Sequence, residues 1–261
     1  MFSSKFLDSR FKPLRKKPPA TFTEQLNACD RARFSQIHSN TTVFALIYKG
    51  GVLVAGDRRT SGGYLEIVSD ETTKVRRVTD HSVIAAAGFC NVISDLEDSL
   101  SSVCNKFRSL YERDLSPDGQ ANFLRQLLES WWFFSMYSWY WVVGIPILAA
   151  FDIKENRPRI FAFDESGYYY EPKFFGGTGC GFETIKGLVH DLWKPDMTEG
   201  MAILIAMKAM LQSGALSSGV SDTRLYLPTI GIIDKNGFRL ISDKVLKVVK
   251  DTLVKQTESL K

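Results

Sequence analysis

The sequence predicts an α+β fold in which two antiparallel sheets are sandwiched between layers of helices. Apolar runs of strand length come in pairs joined by short turns, which is typical of β-hairpins. Segments with apolar residues at helical spacing come in pairs between these hairpins. Since each sheet and each helix pair has an apolar face to bury, we expect a four-layer αββα sandwich.

Four strands and two helices account for the first half of the predicted domain. The apolar runs 42–49 and 52–57 are joined by Gly50 and Gly51, and the shorter runs 74–78 and 82–89 follow. A helix is predicted over 90–113 from apolar residues at helical spacing. They are Val92, Leu96, Leu100, Val103, Phe107 and Leu110. A second helix over 117–142 begins after Ser116, which can cap it, with Pro117 in its first turn.

The second half repeats the order of strands followed by helices. Strands are predicted near 145–153 and 158–164, and helices over 180–193 and 199–212, the latter capped by Thr198. A hairpin then turns at Asn236-Gly237. A last amphipathic helix carries the apolar residues Val245, Val248, Val249 and Leu253.

Composition limits the classes of function. The chain has 261 residues, 44% of them hydrophobic and 24% charged, which suits one globular domain with an appendage. The net charge is +4, but residues 1–40 carry +5, which leaves −1 on residues 41–261. A nearly neutral body argues against nucleic acid as a partner. The cysteines lie too far apart for a zinc motif or a disulfide scaffold, so we expect no metal and no cofactor. They are Cys29, Cys90, Cys104 and Cys180.

Residues 1–40 form a separate segment. They are basic and rich in proline, as in "FKPLRKKPPATF", and they lack the apolar core of a secretory signal. Two interpretations remain open at this point: a disordered basic tail, or a propeptide that is removed.

The apolar segment from Trp131 to Phe151 raises the question of a membrane span. It has 21 residues without a charge, which is long enough to cross a bilayer. However, Gly144 and Pro146 interrupt it, and its tryptophans are scattered instead of gathered at the ends. We therefore predict a buried aromatic helix followed by a strand, and no membrane partner.

The first strand begins abruptly at Thr41-Thr42, and its partner ends at Asp57 beside two arginines. This opening, "TTVFALIYKGGVLVAGDRRTSGG", resembles the proteasome β-subunit family of N-terminal-nucleophile hydrolases, and bacterial members most closely. The resemblance extends over about residues 38–250, through "IPILAAFDI", "FGGTGCG" and "LPTIGIIDKNG". It implies an N-terminal-nucleophile hydrolase fold with a peptidase domain over 41–261.

The chemistry of Thr41 can also be argued from the residue. A threonine hydroxyl is a poor nucleophile that needs a base within hydrogen-bond reach. If the chain is cut between Asn40 and Thr41, the new α-amine, with a reference pKa of about 7.7–8.0, can take the hydroxyl proton. One residue then supplies nucleophile and base, and residues 1–40 act as a removable mask. The alternative is that a β-branched threonine merely favours a strand, which suffices for Thr42.

Asp57 and Lys74 form a buried ion pair beside the nucleophile if the resemblance holds. A cation there lowers the pKa of the hydroxyl, and the aspartate keeps the lysine charged. The segment "YLEIVSDETTK" needs one extra residue to bring Lys74 into register, and Arg76 and Arg77 are the nearest competing cations. The alternative is a surface salt bridge of little energetic value.

The resemblance also implies roles for residues around this centre. Gly88 would donate its backbone N–H to the tetrahedral oxyanion, and a preorganised donor can lower the barrier by about 3 kcal/mol. Ser61 would face the substrate backbone. The side-chain pocket would be lined by Thr60, Ala86 and Cys90.

Other positions depart from the family pattern. Thr178 replaces a serine of the glycine-rich turn, and Ser217 is retained. Gly214 stands where the family has an aspartate, so the network around the amine loses an acceptor, for which Asp222 could substitute. Asn40 stands where glycine usually precedes the nucleophile. These departures predict slow self-processing and weak activity, which Gly214→Asp would improve.

The expected function is a threonine endopeptidase subunit of a compartmental protease in the cytoplasm. Homo-oligomeric, heptameric stacked rings would degrade unfolded polypeptides, with α-type subunits and an ATPase unfoldase as possible partners. The aromatic helix would pack between subunits or rings, because so many aromatic side chains are poorly suited to water. Two alternatives stay open: a noncatalytic β-type subunit that only builds the ring, and a small-amide hydrolase of the same fold.

Overall fold

A computed structural model describes residues 40–61, 67–137 and 144–258 of the chain. The expected propeptide lies outside these ranges except for Asn40. Residues 138–143 of the aromatic segment lie outside them too, so the predicted end of the second helix at residue 142 is not described.

The first sheet has five antiparallel strands in the order β10-β1-β2-β11-β12, numbered along the chain. They are β1 (Val43–Tyr48), β2 (Gly51–Gly56), β10 (Phe175–Thr178), β11 (Thr229–Asp234) and β12 (Gly237–Leu240). Strand β2 is buried along its whole length. It pairs with β1 in the register Val43↔Gly56 and with β11 in the register Thr229↔Gly56.

The second sheet has the order β5-β6-β7-β8-β9. Its strands are β5 (Val75–Thr79), β6 (Ser82–Gly88), β7 (Gly144–Asp152), β8 (Arg157–Phe163) and β9 (Tyr169–Tyr170). A separate two-stranded sheet joins β3 (Thr60–Ser61) to β4 (Ile67–Ser69). The sequence did not predict this small sheet, because its strands are too short to show an alternating pattern.

Within the described residues, five helices cover the two sheets. They are α1 (Cys90–Tyr111), α2 (Pro117–Tyr137), α3 (Cys180–Leu192), α4 (Glu199–Leu216) and α5 (Asp243–Glu258). Thr198 caps α4 as predicted, its side chain accepting a hydrogen bond from the backbone N–H of Met201. Helix α4 extends four residues beyond its predicted end at residue 212.

Three apolar cores separate the layers. The core on the outer face of the first sheet packs Phe44 and Ile232 against α3, α4 and α5. The core between the sheets packs Val43 and Val54 against residues such as Ile160. The third core packs the outer face of the second sheet against α1 and α2. The predicted four-layer αββα sandwich is therefore confirmed.

The aromatic end of α2 is exposed in the single chain. Phe133 and Phe134 are 62% and 57% exposed, whereas the helix was predicted to be buried and to pack between subunits or rings. Sequence pattern alone cannot tell a helix buried in its own core from one whose apolar face stays uncovered. Among the residues that the structure describes, no helix is both long and apolar enough to cross a bilayer.

Candidate active site

The topology brings Thr41, Asp57 and Lys74 to one end of the two facing sheets. Thr41 lies two residues before β1, and Asp57 directly follows β2, its antiparallel partner. Lys74 directly precedes β5 in the opposite sheet. At Gly56, an added Cβ would lie only 3.4 Å from the Lys74 Cβ, so the glycine allows the lysine to approach the first sheet closely.

Lys74 connects the other two side chains. Its Nζ donates to Thr41 Oγ1 at 2.9 Å and to Asp57 Oδ1 at 2.8 Å. The three residues are buried, with exposed fractions of 5% for Thr41, 0% for Asp57 and 7% for Lys74. The Asp57–Lys74 pair is therefore buried, and the alternative of a solvated surface salt bridge is excluded. The extra residue before Lys74 is accommodated, since Lys74 and not Arg76 or Arg77 reaches the threonine.

The Asp57 carboxylate is held by backbone donors as well as by the lysine. Its Oδ1 accepts the Thr42 N–H at 2.8 Å, and its Oδ2 accepts the N–H groups of Arg59 at 2.9 Å and Ser221 at 3.4 Å. A buried carboxylate with this many donors is well satisfied. The backbone N–H groups of Thr42, Arg59 and Ser221 therefore hold the carboxylate in its orientation toward the Lys74 ammonium group.

The glycine-rich turn after β10 contacts the Thr41 carbonyl. Gly179 has a φ of 92°, and an added Cβ would collide with the carbonyl oxygen, so only glycine fits. The same oxygen accepts the N–H of Gly181 at 3.1 Å and lies 4.0 Å from the Cys180 Sγ. The first turn of α3 thereby fixes the backbone of the threonine.

Thr178 and Cys180 lie on either side of Gly179 in this turn and have different surroundings. Thr178 ends β10 opposite Val43, whereas the Cys180 Sγ lies 3.4 Å from the Ser217 Oγ. The structure thus places Ser217 beside the site as expected, and it pairs Ser217 with a thiol. Sequence reasoning missed Cys180, because nothing in "GTGC" indicates that this side chain approaches the Thr41 carbonyl and Ser217.

A second buried hydroxyl, Ser213, was also missed. Its Oγ lies 2.6 Å from the Thr42 Oγ1 and donates to the Gly181 carbonyl at 3.2 Å. An added Cβ at Gly181 would collide with the Thr42 hydroxyl, so this glycine makes room for the contact. The serine lies on the inner face of the extra turns of α4, beyond the point where we expected that helix to end.

Neither an aspartate introduced at position 214 nor the native Asp222 fits the expected role of an acceptor near the amine. An added Cβ at Gly214 would lie 2.6 Å from the Ser221 carbonyl oxygen and 3.2 Å from the Asp222 Cα, so an aspartate there has no room. The Asp222 carboxylate accepts the Arg224 N–H at 2.9 Å within its own turn. The expectation that Gly214→Asp would restore the network is therefore wrong, because the backbone at residues 221–223 occupies the space.

The expected substrate-binding residues are placed differently from one another. The Ser61 Oγ accepts a hydrogen bond from the Asn40 Nδ2 at 2.9 Å, and the Thr60 Oγ1 lies 2.7 Å from the Thr72 Oγ1. Cys90 is exposed at the start of α1. Ala86, however, is completely buried, so it does not line an open pocket as expected. In its strand it pairs with Pro146 of β7.

Gly88, the expected oxyanion donor, ends β6 at the same side of the sheet as Lys74. It has a φ of 140°, in the region that favours glycine. Any residue with a side chain would have a strained backbone at this φ, whatever space surrounds it. This agrees with the expected role of Gly88, which depends on its backbone N–H.

Comparison with known proteins agrees with this arrangement. A family model described as "Proteasome subunit" matches residues 37–222. This chain belongs to the proteasome subunit family. The match includes the threonine, the ion pair and the glycine-rich turn, and it makes the sandwich an N-terminal-nucleophile hydrolase fold.

The curated relatives are β-type subunits of bacteria. The proteasome subunit beta of Jonesia denitrificans is 32% identical over 219 residues, which cover 83% of this chain and 71% of the relative. That of Acidothermus cellulolyticus is 26% identical, covering 84% and 77%. The proteasome subunit beta 2 of Thermomonospora curvata is 27% identical, covering 84% and 78%. The chain is accordingly a bacterial proteasome β-type subunit, from a family that builds ring-shaped proteases.

Proposed function

We propose that this subunit is a threonine endopeptidase whose nucleophile is Thr41, exposed by removal of residues 1–40. The observation that carries the proposal is the buried Lys74 Nζ, placed between the Thr41 Oγ1 at 2.9 Å and Asp57 Oδ1 at 2.8 Å. A buried ammonium group is costly unless it is paired and hydrogen-bonded, and Asp57 supplies that pairing here. Its ammonium group stabilises the alkoxide character that the hydroxyl acquires during attack.

The reaction follows from these placements. The Thr41 Oγ1 attacks a substrate carbonyl carbon, while its proton passes to the α-amine that cleavage after Asn40 releases. The Gly88 N–H donates to the oxyanion, and the amine returns the proton to the leaving nitrogen as the peptide bond breaks. Water then hydrolyses the Thr41 ester. The Cys180 Sγ lies 4.0 Å from the Thr41 carbonyl oxygen and 3.4 Å from the Ser217 Oγ. Together with Thr178, these are the groups proposed to orient the amine.

The proposed setting is a cytoplasmic compartmental protease. The subunit would form homo-oligomeric stacked rings of seven, joined to α-type subunits and supplied with unfolded polypeptides by an ATPase. The exposed phenylalanines of α2 support an assembly, because they leave apolar surface that a partner can cover.

The test compares Lys74→Ala with Arg76→Ala. Lys74→Ala removes the cation next to the nucleophile, so peptide cleavage should fall by at least ~100-fold while the ring still elutes at its full size. Arg76 is a matched control in the same strand region, since its half-exposed side chain pairs with Glu97 at 2.9 Å and does not reach Thr41. An active Lys74→Ala ring, or an inactive Arg76→Ala ring with normal assembly, would refute the assignment.

A noncatalytic ring-building subunit is the second candidate. It is favoured by the backbone packing that excludes an acid at Gly214 and by the engagement of Asp222 in its own turn. Intact mass separates the two candidates. A ring that keeps residues 1–40 after prolonged incubation supports the noncatalytic one, and loss of those residues in the wild type but not in Thr41→Ala supports the peptidase.

A further inference from the structure

The residue before the nucleophile has its own contact in this structure. Asn40 is half-buried, and its Nδ2 donates to the Ser61 Oγ at 2.9 Å. Asn40 supplies the acyl side of the bond that self-processing breaks. A side-chain anchor at this position therefore acts directly on the placement of the scissile carbonyl.

A glycine makes the space that this side chain occupies. At Gly219, which is buried, an added Cβ would lie 2.7 Å from the Asn40 Cβ and 2.6 Å from its Cγ, and it would collide with the Oδ1. Gly219 has no positive φ that would itself demand glycine. Its missing side chain is thus explained by space for the Asn40 carboxamide and not by backbone conformation.

Arg59 links the two segments that contact Asn40, one containing Gly219 and the other containing Ser61. Its Nη1 donates to the Ser218 carbonyl at 3.0 Å, next to Gly219, and its Nε donates to Asp70 at 2.8 Å. Asp70 directly follows β4, whose partner β3 contains Ser61. The side chains of Arg59 and Asp70 are only 13% and 10% exposed, so the connection is a largely buried ion pair and not a loose surface contact.

We propose that Ser61 and Gly219 form a seat for the Asn40 carboxamide, and that this seat positions the Asn40–Thr41 bond for self-cleavage. Asparagine before the nucleophile is then a specificity determinant of processing. The inference rests on the proposed peptidase function of Thr41. It also explains how a chain without glycine at this position can be processed, since the carboxamide contact supplies order that a tight turn would otherwise provide.

The step balances without any further reagent. The Thr41 Oγ1 attacks the Asn40 carbonyl carbon, the C–N bond breaks, and the hydroxyl proton goes to the nitrogen that becomes the α-amine. Water hydrolyses the resulting ester, which gives a carboxylate on Asn40 and restores the Thr41 hydroxyl. The leader departs with Asn40, and the Ser61 Oγ becomes available to a substrate.

The test is a mutant cycle between Asn40 and Gly219 in the full-length chain. Loss of residues 1–40 is followed by intact mass for the wild type, Asn40→Gly, Gly219→Ala and the double variant. Gly219→Ala should slow processing by at least ~10-fold when Asn40 is present, because the new methyl group displaces the carboxamide. In the Asn40→Gly background the same change should cost less than about twofold. Equal costs in the two backgrounds would overturn the proposal.

A second measurement does not depend on activity. In the Thr41→Ala precursor, backbone hydrogen exchange around residues 40–42 should speed up by several-fold on Asn40→Ala, because the side-chain anchor is lost. Asn40→Gln and Ser61→Ala serve as comparisons, since each removes or misplaces one partner of the same contact. Unchanged exchange in all three variants would refute the seat.

The two proposals fail differently. The chain produced directly from Thr41, without residues 1–40, reports peptide cleavage independently of Asn40. If this mature form is inactive, the peptidase function is refuted, and hydrogen exchange still decides whether the seat exists. If it is active while the mutant cycle shows equal costs, the seat is refuted and the peptidase function stands.

Discussion

Gly214 shows how a neighbouring backbone segment that packs closely can limit which residue fits at a position in the site. The resemblance to the family indicates a lost acid at this position, but the Cβ of any other residue would lie only 2.6 Å from the Ser221 carbonyl oxygen. The neighbouring Ser213 carries the buried contact instead, through its hydroxyl and the Thr42 hydroxyl at 2.6 Å. The side chains found next to Thr41 and Thr42 in this region are thus hydroxyls and a thiol.

At the residue scale, Gly214→Asp should destabilise the protein and should not accelerate processing. Overpacking of this kind typically costs about 1–3 kcal/mol, which thermal unfolding can measure. Ala215→Asp is the matched control, because residue 215 is exposed on the same helix and a surface change usually alters stability by less than ~0.5 kcal/mol. Faster removal of residues 1–40 in a stable Gly214→Asp protein would contradict this prediction.

Two ion pairs connect helices α1 and α2 to the second sheet. The stability that each acidic group contributes changes with pH in the opposite direction. Glu97 of α1 pairs with Arg76 of β5 at 2.9 Å, and burial raises the pKa of the Glu97 carboxyl to about 7 although Arg76 opposes the shift. Within the described part of the chain, its Oε1 has no hydrogen-bond partner. Arg159 of β8 instead holds the Asp118 carboxylate of α2 by two hydrogen bonds, one of them 2.8 Å long.

At the element scale, Glu97→Gln should stabilise the protein at pH 8 and have little effect at pH 4. The pKa of Glu97 is raised from 4.5 to about 7, so its contribution to stability is complete below pH 4.5 and is lost as the pH rises through 7. The glutamine keeps the shape without the buried charge. Urea unfolding at both pH values should give a difference of about 2–3 kcal/mol at pH 8.

Asp118→Asn provides the opposite case. Hydrogen bonds from Arg159 lower the pKa of the Asp118 carboxyl, so its contribution is present above its ordinary pKa of 3.8 and is lost as the pH falls through the lowered value. The asparagine variant should therefore be less stable than the wild type at pH 7 and approach it in strong acid. If Glu97→Gln and Asp118→Asn show the same pH trend, the Glu97 prediction is wrong.

At the scale of the whole molecule, the sandwich is complete but its surface is not evenly polar. The two sheets bury their facing sides against each other, and the helices cover the outer sides. The end of α2 nevertheless presents Phe133 and Phe134 at 62% and 57% exposure. Such a surface is better explained by contact between subunits than by a monomer in water.

We expect Phe133→Ser combined with Phe134→Ser to weaken ring assembly and to leave the subunit folded. Loss of two apolar contacts should shift the protein to smaller species on a sizing column, with circular dichroism unchanged. Ile153→Ser is the matched control, since Ile153 is 55% exposed in the turn between β7 and β8. That turn lies near the start of α2, where Arg159 pairs with both Asp152 and Asp118, and not at the aromatic end of the helix. Unaltered ring size in the double variant would exclude this face as an interface.

The sequence by itself determined the layers and the identity of the central residues. Alternation and helical spacing report which faces are apolar, and these faces can be buried in few ways, so the two sheets and five helices could be predicted. Thr41 and Asp57 flank strands joined by a short turn, and adjacent antiparallel strands must bring such residues together.

Only the tertiary structure decided which side chains and backbone groups from distant segments complete the site. Cys180, Ser213 and Ser221 come from segments about 140–180 residues after Thr41, and their approach depends on the exact backbone path of α3, α4 and the loop that follows. The same holds for the burial of Ala86 and the lack of room at Gly214. Pattern rules describe one face of one element, whereas these contacts depend on distances of a few ångströms between elements.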